Sequence, residues 1–177
     1  MSCAIAALET LFTALDITCE KLSHPPLATA QAADNIALER PGVRLKNLFL
    51  RDNYGRRHFL LITAHDAQVD LKALSKAQQV SRLGFASNER LQRYLGVHPG
   101  CVSMLALMND PENQVELWLD EAIWENTPPG MLYHCHPFDN RYTWLVGKQD
   151  LLRLFRHWQH QVQVLSVPKR CGTAMSK

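Results

Sequence analysis

Lys46 is the residue whose surroundings most directly suggest chemistry, because it lies in an apolar, alternating segment that spans residues 44–52. Alternation with a period of two is typical of a strand, and it places Lys46 on the same face as Leu48 and Leu50. A lysine near a core most often lays its methylenes along the sheet and carries its charge to the edge. The other arrangement is an ammonium that binds an anion, and the segment by itself leaves both open.

Two histidines of a second alternating segment suggest metal binding. His134 and His136 are separated by one residue, so a strand would direct both imidazoles to the same face. No third ligand stands at a recognisable spacing, and neighbouring histidines also serve as hydrogen-bonding groups. We favour the hydrogen-bonding interpretation and predict no metal site.

The cysteines suggest neither redox nor zinc chemistry. They are odd in number, widely spread and without a C-x-x-C pair: Cys3, Cys19, Cys101, Cys135 and Cys171. Cys101 and Cys135 each stand near a histidine and could act as nucleophiles, but neither has a local sequence signature for that chemistry. We interpret all five as free thiols, since buried cysteine usually acts as a small apolar residue.

Two predicted helices have basic faces. One carries Arg90 and Arg93, and the other carries Arg153 and Arg156. Such faces are commonly ordinary solvated surface. The alternative is a landing surface for the acceptor end of an RNA, because phosphate contacts need no sequence code.

The composition excludes several classes of protein. With 177 residues, 46% of them hydrophobic and 20% charged, the chain fits one globular domain, which we place at residues 1–167 with a disordered tail at 168–177. No apolar run approaches the ~18 residues of a membrane span, and the first residues lack the basic start of a signal peptide. We therefore expect a cytoplasmic protein. A net charge of +2 argues against a protein that coats nucleic acid but permits contact with a few phosphates at one end, and we expect no DNA partner.

The elements that would position these residues are short helices and strands. Residues 44–52 and 57–64 flank a turn and predict a hairpin that carries Lys46. Further strands are predicted over 17–22, 82–86, 101–108, 115–120, 131–136, 141–146 and 162–167, the last at a sheet edge. Helices are predicted over 1–15, 30–38 with Thr29 as cap, 70–78, 89–95 between Ser87 and Gly96, 121–126 and 148–158. The mixed order of short helices and strands indicates an α/β (α+β) fold.

Several short motifs, in this order, resemble a known family. They are HPP at 24–26, KNLFLRD at 46–52, VDLKAL at 69–74, RLGFAS at 82–87, LGVHPG at 95–100, MND at 108–110, and HP at 136–137 with Asn140. Together they are similar to the YbaK/ProX-type aminoacyl-tRNA deacylases, which include free-standing prolyl-tRNA editing proteins related to the insertion domain of bacterial prolyl-tRNA synthetase. The resemblance covers roughly residues 20–156. It implies a compact domain with a curved, mixed, barrel-like sheet flanked by helices.

The resemblance also implies a site. Lys46 would hold the terminal phosphate or ribose of a tRNA, and main-chain amides near Gly100 would face the carbonyl of the ester. The residues that would shape the pocket are Asn47, Ser103, Met104, His136 and Asn140. No metal and no cofactor are implied.

One loop departs from the family pattern. The Gly-x-x-x-Pro loop of the family, usually followed by Phe-Gly, matches at Gly100, whereas Met104 stands at the proline position and Ala106 replaces the second glycine. The added thioether and methyl would narrow or reshape the cavity. We expect a small acyl group to be accepted, alanine first and serine next, and proline to be excluded.

The implied function is trans-editing hydrolysis of a mischarged aminoacyl-tRNA, Ala-tRNA(Pro) foremost, with the acceptor end of tRNA(Pro) and prolyl-tRNA synthetase as partners. One binding step separates side chains that differ by a methylene only about 10–200-fold, so a second, hydrolytic step has a purpose. The alternative is a non-catalytic module that binds aminoacyl-tRNA or a synthetase and whose pocket is blocked by Met104. A turnover assay separates the two.

Overall fold

The computed structural model describes residues 3–26 and 40–170, whose strands form two sheets. The strands are β1 Glu20–Ser23, β2 Leu45–Arg51, β3 His58–Ala64, β4 Gly84–Phe85, β5 Val115–Asp120, β6 Leu132–Cys135, β7 Tyr142–Gly147 and β8 Val162–Leu165. The helices are α1 Cys3–Ala14, α2 Leu71–Ala77, α3 Asn88–Leu95, α4 Glu121–Trp124 and α5 Lys148–His157, with a 3₁₀ helix over Met104–Asn109. The helix predicted at 30–38 and its cap Thr29 lie outside the described residues. No helix in the described ranges has the length and apolar character needed to cross a bilayer.

The larger sheet is mixed and has the strand order β4-β2-β3-β5-β8. β2 pairs antiparallel with β3 and β4, whereas β3, β5 and β8 run parallel to one another, with β8 at the predicted edge. The smaller sheet is antiparallel, in the order β1-β7-β6. A parallel bridge between Val43 and Tyr133 connects the approach to β2 with β6. The predicted mixed α/β fold is confirmed, but the described strands form two open sheets and not a barrel.

The β2–β3 hairpin carries Lys46 directly opposite Thr63. Asp52 holds the turn, because its Oδ1 accepts the main-chain N–H of Arg56 at 2.7 Å and that of Arg57 at 3.0 Å. Burial acts to raise the pKa of Asp52, but the hydrogen bonds from these N–H groups outweigh burial and the pKa falls below its ordinary value. The turn therefore fixes the register that decides which face Lys46 occupies.

Two hydrophobic cores lie on opposite faces of the larger sheet. The main core includes Phe49 and Leu60, together with the helices on that side. The second core consists of residues that alternate with these along the strands and of residues from α2 and the chain after β8: Leu50, Phe59, Leu61, Leu74, Leu83, Trp118, Leu165 and Val167. Lys46 shares the face of Leu50, so its side chain starts on the second-core side of the sheet.

The strand predicted over residues 101–108 is wrong. Residues 101–103 have no regular structure, and the 3₁₀ helix follows, with the side chain of Ser103 accepting the Leu105 N–H at 3.2 Å. A continuous apolar run of this length fits a buried strand and a buried helix equally well. The capping role of Ser103 was the local signal for the helix.

Residues 168–170 belong to the predicted tail, and the structure gives this segment hydrogen bonds, whereas residues 171–177 lie outside the described residues. The Asp70 N–H donates to the Pro168 carbonyl at 2.9 Å, and the Arg170 N–H donates to the Gln68 carbonyl at 2.8 Å. The segment 168–170 is therefore bonded to the chain just before α2. This contact joins residues about a hundred positions apart, which local sequence patterns do not reveal.

Four of the described histidines should make stability depend on pH. Burial lowers the pKa of His58, His134, His136 and His160 below the ordinary value of 6.5. The unfolded chain therefore takes up protons at a higher pH than the folded protein does. We expect the free energy of unfolding to fall as the pH decreases from about 6.5 toward the lower pKa values of the folded state. Urea denaturation at pH 7.5, 6.5 and 5.5 measures this, and greater stability at pH 5.5 than at pH 7.5 would contradict it.

Candidate functional site

The Lys46 ammonium is half-buried beside β2 and carries a charge that no described carboxylate neutralises. Its Nζ donates to the main-chain carbonyl oxygen of Ala67 at 2.5 Å. None of the salt bridges among the described residues includes it. An ammonium has three donors, so two remain after this bond. A half-buried cation with open donors can bind an anion.

Lys46 lines a cavity of about 270 Å³, here called the Lys46 cavity. Its other walls are Leu48, Ala67, Gln68, Val69, Leu71, Phe85 and Arg170. The cavity is thus apolar on the sheet side and carries a cation at each of two walls. Phe85 belongs to β4, at the edge of the sheet, and its side chain is 64% exposed.

Asn47 faces the other side of the sheet, toward the main core. Its Oδ1 atom is buried and has no hydrogen-bond partner among the described residues. A buried amide oxygen without a donor costs free energy. The N–H of a ligand would satisfy it, so Asn47 is suited to contact a substrate from this face.

His136 follows β6 and lies near His24, which follows β1. The Nδ1 atom of His136 is 3.0 Å from the Tyr142 carbonyl oxygen, and His24 Nε2 is 2.9 Å from Thr143 Oγ1. Burial lowers the pKa of His136, the charge of His24 lowers it further, and the bond to Tyr142 opposes both. Because a carbonyl only accepts, Nδ1 of His136 carries the proton and Nε2 of the neutral ring is an acceptor.

The loop before the 3₁₀ helix is exposed at Gly100 and buried at Ser103. Gly100 is exposed, has φ +85° and has open space around it, so the turn there requires glycine. Ser103 is buried and its hydroxyl is used as the helix cap. The Met104 side chain is 1% exposed and lies in the main core. Asn140 is half-buried between β6 and β7.

The structure does not bring the predicted site residues together around one described cavity. β2 holds Lys46 and Asn47 on opposite faces, and only Lys46 lies in the Lys46 cavity. The remaining predicted residues are absent from the described walls of that cavity: Gly100, Ser103, Met104, His136 and Asn140. Asn47 and Met104 instead lie on the main-core side of the larger sheet.

Phe85 and Arg170, which line the Lys46 cavity, were not proposed as site residues from the sequence. Phe85 stands in the RLGFAS motif, so a local signal existed for it. Arg170 had none, because it reaches the cavity only through the pairing of segment 168–170 with residues near Gln68.

The thiols differ in environment. Burial raises the pKa of the fully buried Cys135 thiol far above its ordinary value, and burial raises that of Cys19 to about 11. The thiolate is the reactive form, so Cys135 is a poor nucleophile in this position. Among the described residues, no group of three histidine, cysteine or acidic side chains is placed to hold a metal ion.

Two arginines of the predicted basic faces are engaged within the protein. Arg90 Nη1 donates to the Gly55 carbonyl at 3.0 Å and lies 2.8 Å from His58 Nε2. Arg153 pairs with Asp150 at 3.2 Å, and it also donates to the main-chain carbonyl oxygen of Leu15, just after α1. These contacts favour a structural role for both guanidinium groups over an RNA landing surface.

Known proteins resemble the chain along most of its length. The model of the aminoacyl-tRNA editing domain family matches residues 24–154. The prolyl-tRNA editing protein ProX of Acetoanaerobium sticklandii is 34% identical over 142 residues, which cover 80% of this chain and 84% of the relative. The prolyl-tRNA synthetase associated domain-containing protein 1 of Danio rerio is 36% identical over 160 residues, covering 90% and 85%. A solved structure described as a candidate trans-editing enzyme for prolyl-tRNA synthetase shares the fold, with a TM-score of 0.68 at 17% identity over 97% of this chain and 99% of that one.

Proposed function

The chain belongs to the aminoacyl-tRNA editing domain family, and from that premise we propose that it hydrolyses mischarged aminoacyl-tRNA in trans, with Ala-tRNA(Pro) as its main substrate. It would act in the cytoplasm, on tRNA released from prolyl-tRNA synthetase. The observation that carries the proposal is the half-buried Lys46 ammonium, which has a carbonyl partner but no described carboxylate partner. Such a group suits the phosphate or ribose at the end of a tRNA.

The reaction asks little of the protein. Water attacks the ester carbonyl carbon, the carbon–oxygen bond to the terminal ribose breaks, and the proton of the water passes to the leaving ribose oxygen. The neighbouring ribose hydroxyl can position this water, so the protein mainly orients the ester and stabilises the developing oxyanion. In this proposal Lys46 anchors the ribose or phosphate, and main-chain amides near Gly100 face the carbonyl.

In this proposal the aminoacyl group contacts the remaining residues that the family resemblance implies, of which Asn47 lies on the face of β2 opposite Lys46. The buried Oδ1 of Asn47 has no hydrogen-bond partner among the described residues, so an N–H of the substrate, such as its ammonium group, would satisfy it once the packing around it opens. His136 offers a neutral Nε2 acceptor, and Ser103 and Asn140 would complete the wall. Met104 would influence the acyl preference indirectly, because its buried thioether packs in the main core next to the loop that begins at Gly100.

The acyl preference is tested with a panel of aminoacylated tRNA(Pro) molecules. We expect the rate of deacylation to follow the order alanine, then serine, with prolyl-tRNA(Pro) spared, because a steric clash or a lost methylene contact is worth ~1–3 kcal/mol. Single-turnover rates on each charged tRNA give the ranking. Equal rates on alanyl and prolyl esters would contradict the proposed specificity.

A non-catalytic module that binds aminoacyl-tRNA or a synthetase is the second candidate. It is favoured by one observation, namely that the loop residues do not line the described part of the Lys46 cavity. The same panel separates the two functions. Binding of charged tRNA without hydrolysis of any of the esters would establish the module and reject the deacylase.

Neither a thiol nor a metal ion should be needed. We expect Cys101→Ala, Cys135→Ala and treatment with a strong chelator each to leave the deacylation rate within a few-fold of the wild type, because the substrate supplies the group that positions water. The rate is measured under single-turnover conditions, with thermal unfolding as a check on the Cys135 variant. A loss of about a thousandfold is the size expected for a removed catalytic group and would restore thiol or metal chemistry.

A further inference from the structure

A second, larger cavity adjoins the Lys46 cavity. It has a volume of about 680 Å³, and Leu71 and Arg170 line both. Its cationic walls come from α2, from the chain before β4 and from segment 168–170: Lys72, Lys76, Arg82 and Arg170. The two cavities together form one groove, here called the α2 groove, which leads along α2 to the Lys46 ammonium.

The α2 groove carries positive charge that no carboxylate of the described residues neutralises. None of the salt bridges among the described residues involves Lys72, Lys76, Arg82 or Arg170. This contrasts with Arg153, which is paired with Asp150. Five cations along one groove, counting Lys46, form a local excess in a chain whose net charge is only +2. The groove therefore suits a polyanion.

An aromatic ring, that of Phe85, lines the Lys46 cavity, which is one end of the α2 groove. Phe85 is 64% exposed, although it lies in a strand that is bonded to β2 through Leu50. Single exposed apolar side chains are common and mean little alone. This one, however, shares a cavity with Lys46 and Arg170. An aromatic face among cations is the arrangement that binds single-stranded nucleic acid, with bases stacked on the ring and phosphates on the cations.

We propose that the unpaired 3′ end of a tRNA lies in the α2 groove, with one base stacked on Phe85 and a phosphate bound by Arg170. The choice of tRNA as the ligand rests on the proposed function. The inference adds the course of the RNA strand along the α2 groove and two residues that contact it, Phe85 and Arg170. Arg170 lies beyond residues 24–154, the part matched by the family model. The chain after the family domain therefore contributes a binding residue, held in place by the bond from the Arg170 N–H to the Gln68 carbonyl.

The experiment uses two uncharged RNA hairpins with the same paired stem, one ending in an unpaired 3′ ACCA and one blunt. Dissociation constants are measured for the full chain over a series of KCl concentrations. We expect the wild type to bind the tailed hairpin more tightly. Phe85→Ala should weaken binding of the tailed hairpin by about 5- to 150-fold, the range for loss of one stacked base, with little change for the blunt hairpin.

Charge and stacking are separated by matched variants. Arg170→Gln should lower the magnitude of the slope of log K against log[KCl] by about 0.7, the value for one phosphate contact on a single strand. Arg156→Gln removes the same charge from the exposed face of α5 and should leave the slope unchanged. Phe85→Leu keeps an apolar side chain without a π face and should still weaken binding. Thermal unfolding verifies that each variant is folded.

Three outcomes would overturn the inference. They are equal affinity of the wild type for the two hairpins, an equal slope change in the Arg156 and Arg170 variants, and unchanged affinity in Phe85→Ala. Deacylation of Ala-tRNA(Pro) is measured separately. If hydrolysis is absent but the expected binding pattern is observed, the proposed function is rejected and the assignment of the α2 groove as an RNA-binding site is retained. If hydrolysis is normal but the binding pattern is absent, the groove assignment fails alone.

Discussion

Replacing Lys46 by alanine is expected to reduce deacylation of Ala-tRNA(Pro) by about 10²–10³-fold, the usual cost of removing one charged or hydrogen-bonding group that acts on the reacting part of a substrate. The fold should survive, because Lys46 contributes one bond to the Ala67 carbonyl and no described salt bridge. Lys46→Arg should recover little activity, since a planar guanidinium does not replace a compact ammonium. Single-turnover kinetics and thermal unfolding measure the two effects.

Lys148 provides the matched control for this experiment. It is also half-buried, and its Nζ also donates to a main-chain carbonyl, that of Trp124, at 2.6 Å. It does not line the α2 groove. Lys148→Ala should therefore keep the wild-type rate despite losing an equivalent bond. A wild-type rate in Lys46→Ala would reject the editing mechanism as drawn, and an equal loss in both variants would show that the effect is structural.

Asp110→Ala is expected to lower the free energy of unfolding by about 3 kcal/mol, because hydrogen bonds to a charged group contribute roughly 1.5–3 kcal/mol each. The carboxylate is 4% exposed and accepts the main-chain N–H groups of Gln114 at 3.0 Å and Val115 at 2.8 Å. Removing it leaves the N–H at the buried start of β5 without its acceptor. Urea denaturation of the wild type and the variant at pH 7.5 gives the difference.

Asp110→Asn separates the loss of charge from the loss of acceptors. The amide keeps one oxygen in place of two, so we expect roughly half the destabilisation of the alanine variant. Asp66→Ala removes an exposed carboxylate and should change the stability by less than about 0.5 kcal/mol. A difference below about 1 kcal/mol for Asp110→Ala would mean that water or a main-chain shift satisfies both N–H groups.

The parts of the fold that depend on local pattern could be predicted from the sequence. Alternation along residues 44–52 gave the hairpin and the opposite faces of Lys46 and Asn47, and the pairing of Lys46 with Thr63 agrees with it. Ser87 and Gly96 predicted both ends of α3, and Gly96 does adopt a left-handed conformation with φ 63°. These signals are carried by residues that are close in sequence.

The parts that depend on distant contacts could not be predicted. The apolar run from residue 101 to 108 fits a buried strand and a buried helix equally well, and the cap at Ser103 alone did not decide between them. The walls of the Lys46 cavity come from four separate segments of the chain, and the segment with Arg170 reaches it from the far end. Met104 was expected in a pocket wall from the motif comparison. Its side chain instead lies in the main core, a position that depends on packing between distant segments.

The parallel pairing of β5 with β8 has a consequence during synthesis. The ribosome makes β8 after β5 and after the helix α5 between them, so the nascent chain presents β5 with one row of main-chain groups unpaired. Unpaired strand edges recruit other chains, and β5 is almost wholly buried in the finished protein. A product truncated before Val162 should therefore aggregate or require chaperones, and an assay of expressed fragments should show a sharp gain in solubility once residues 162–170 are included.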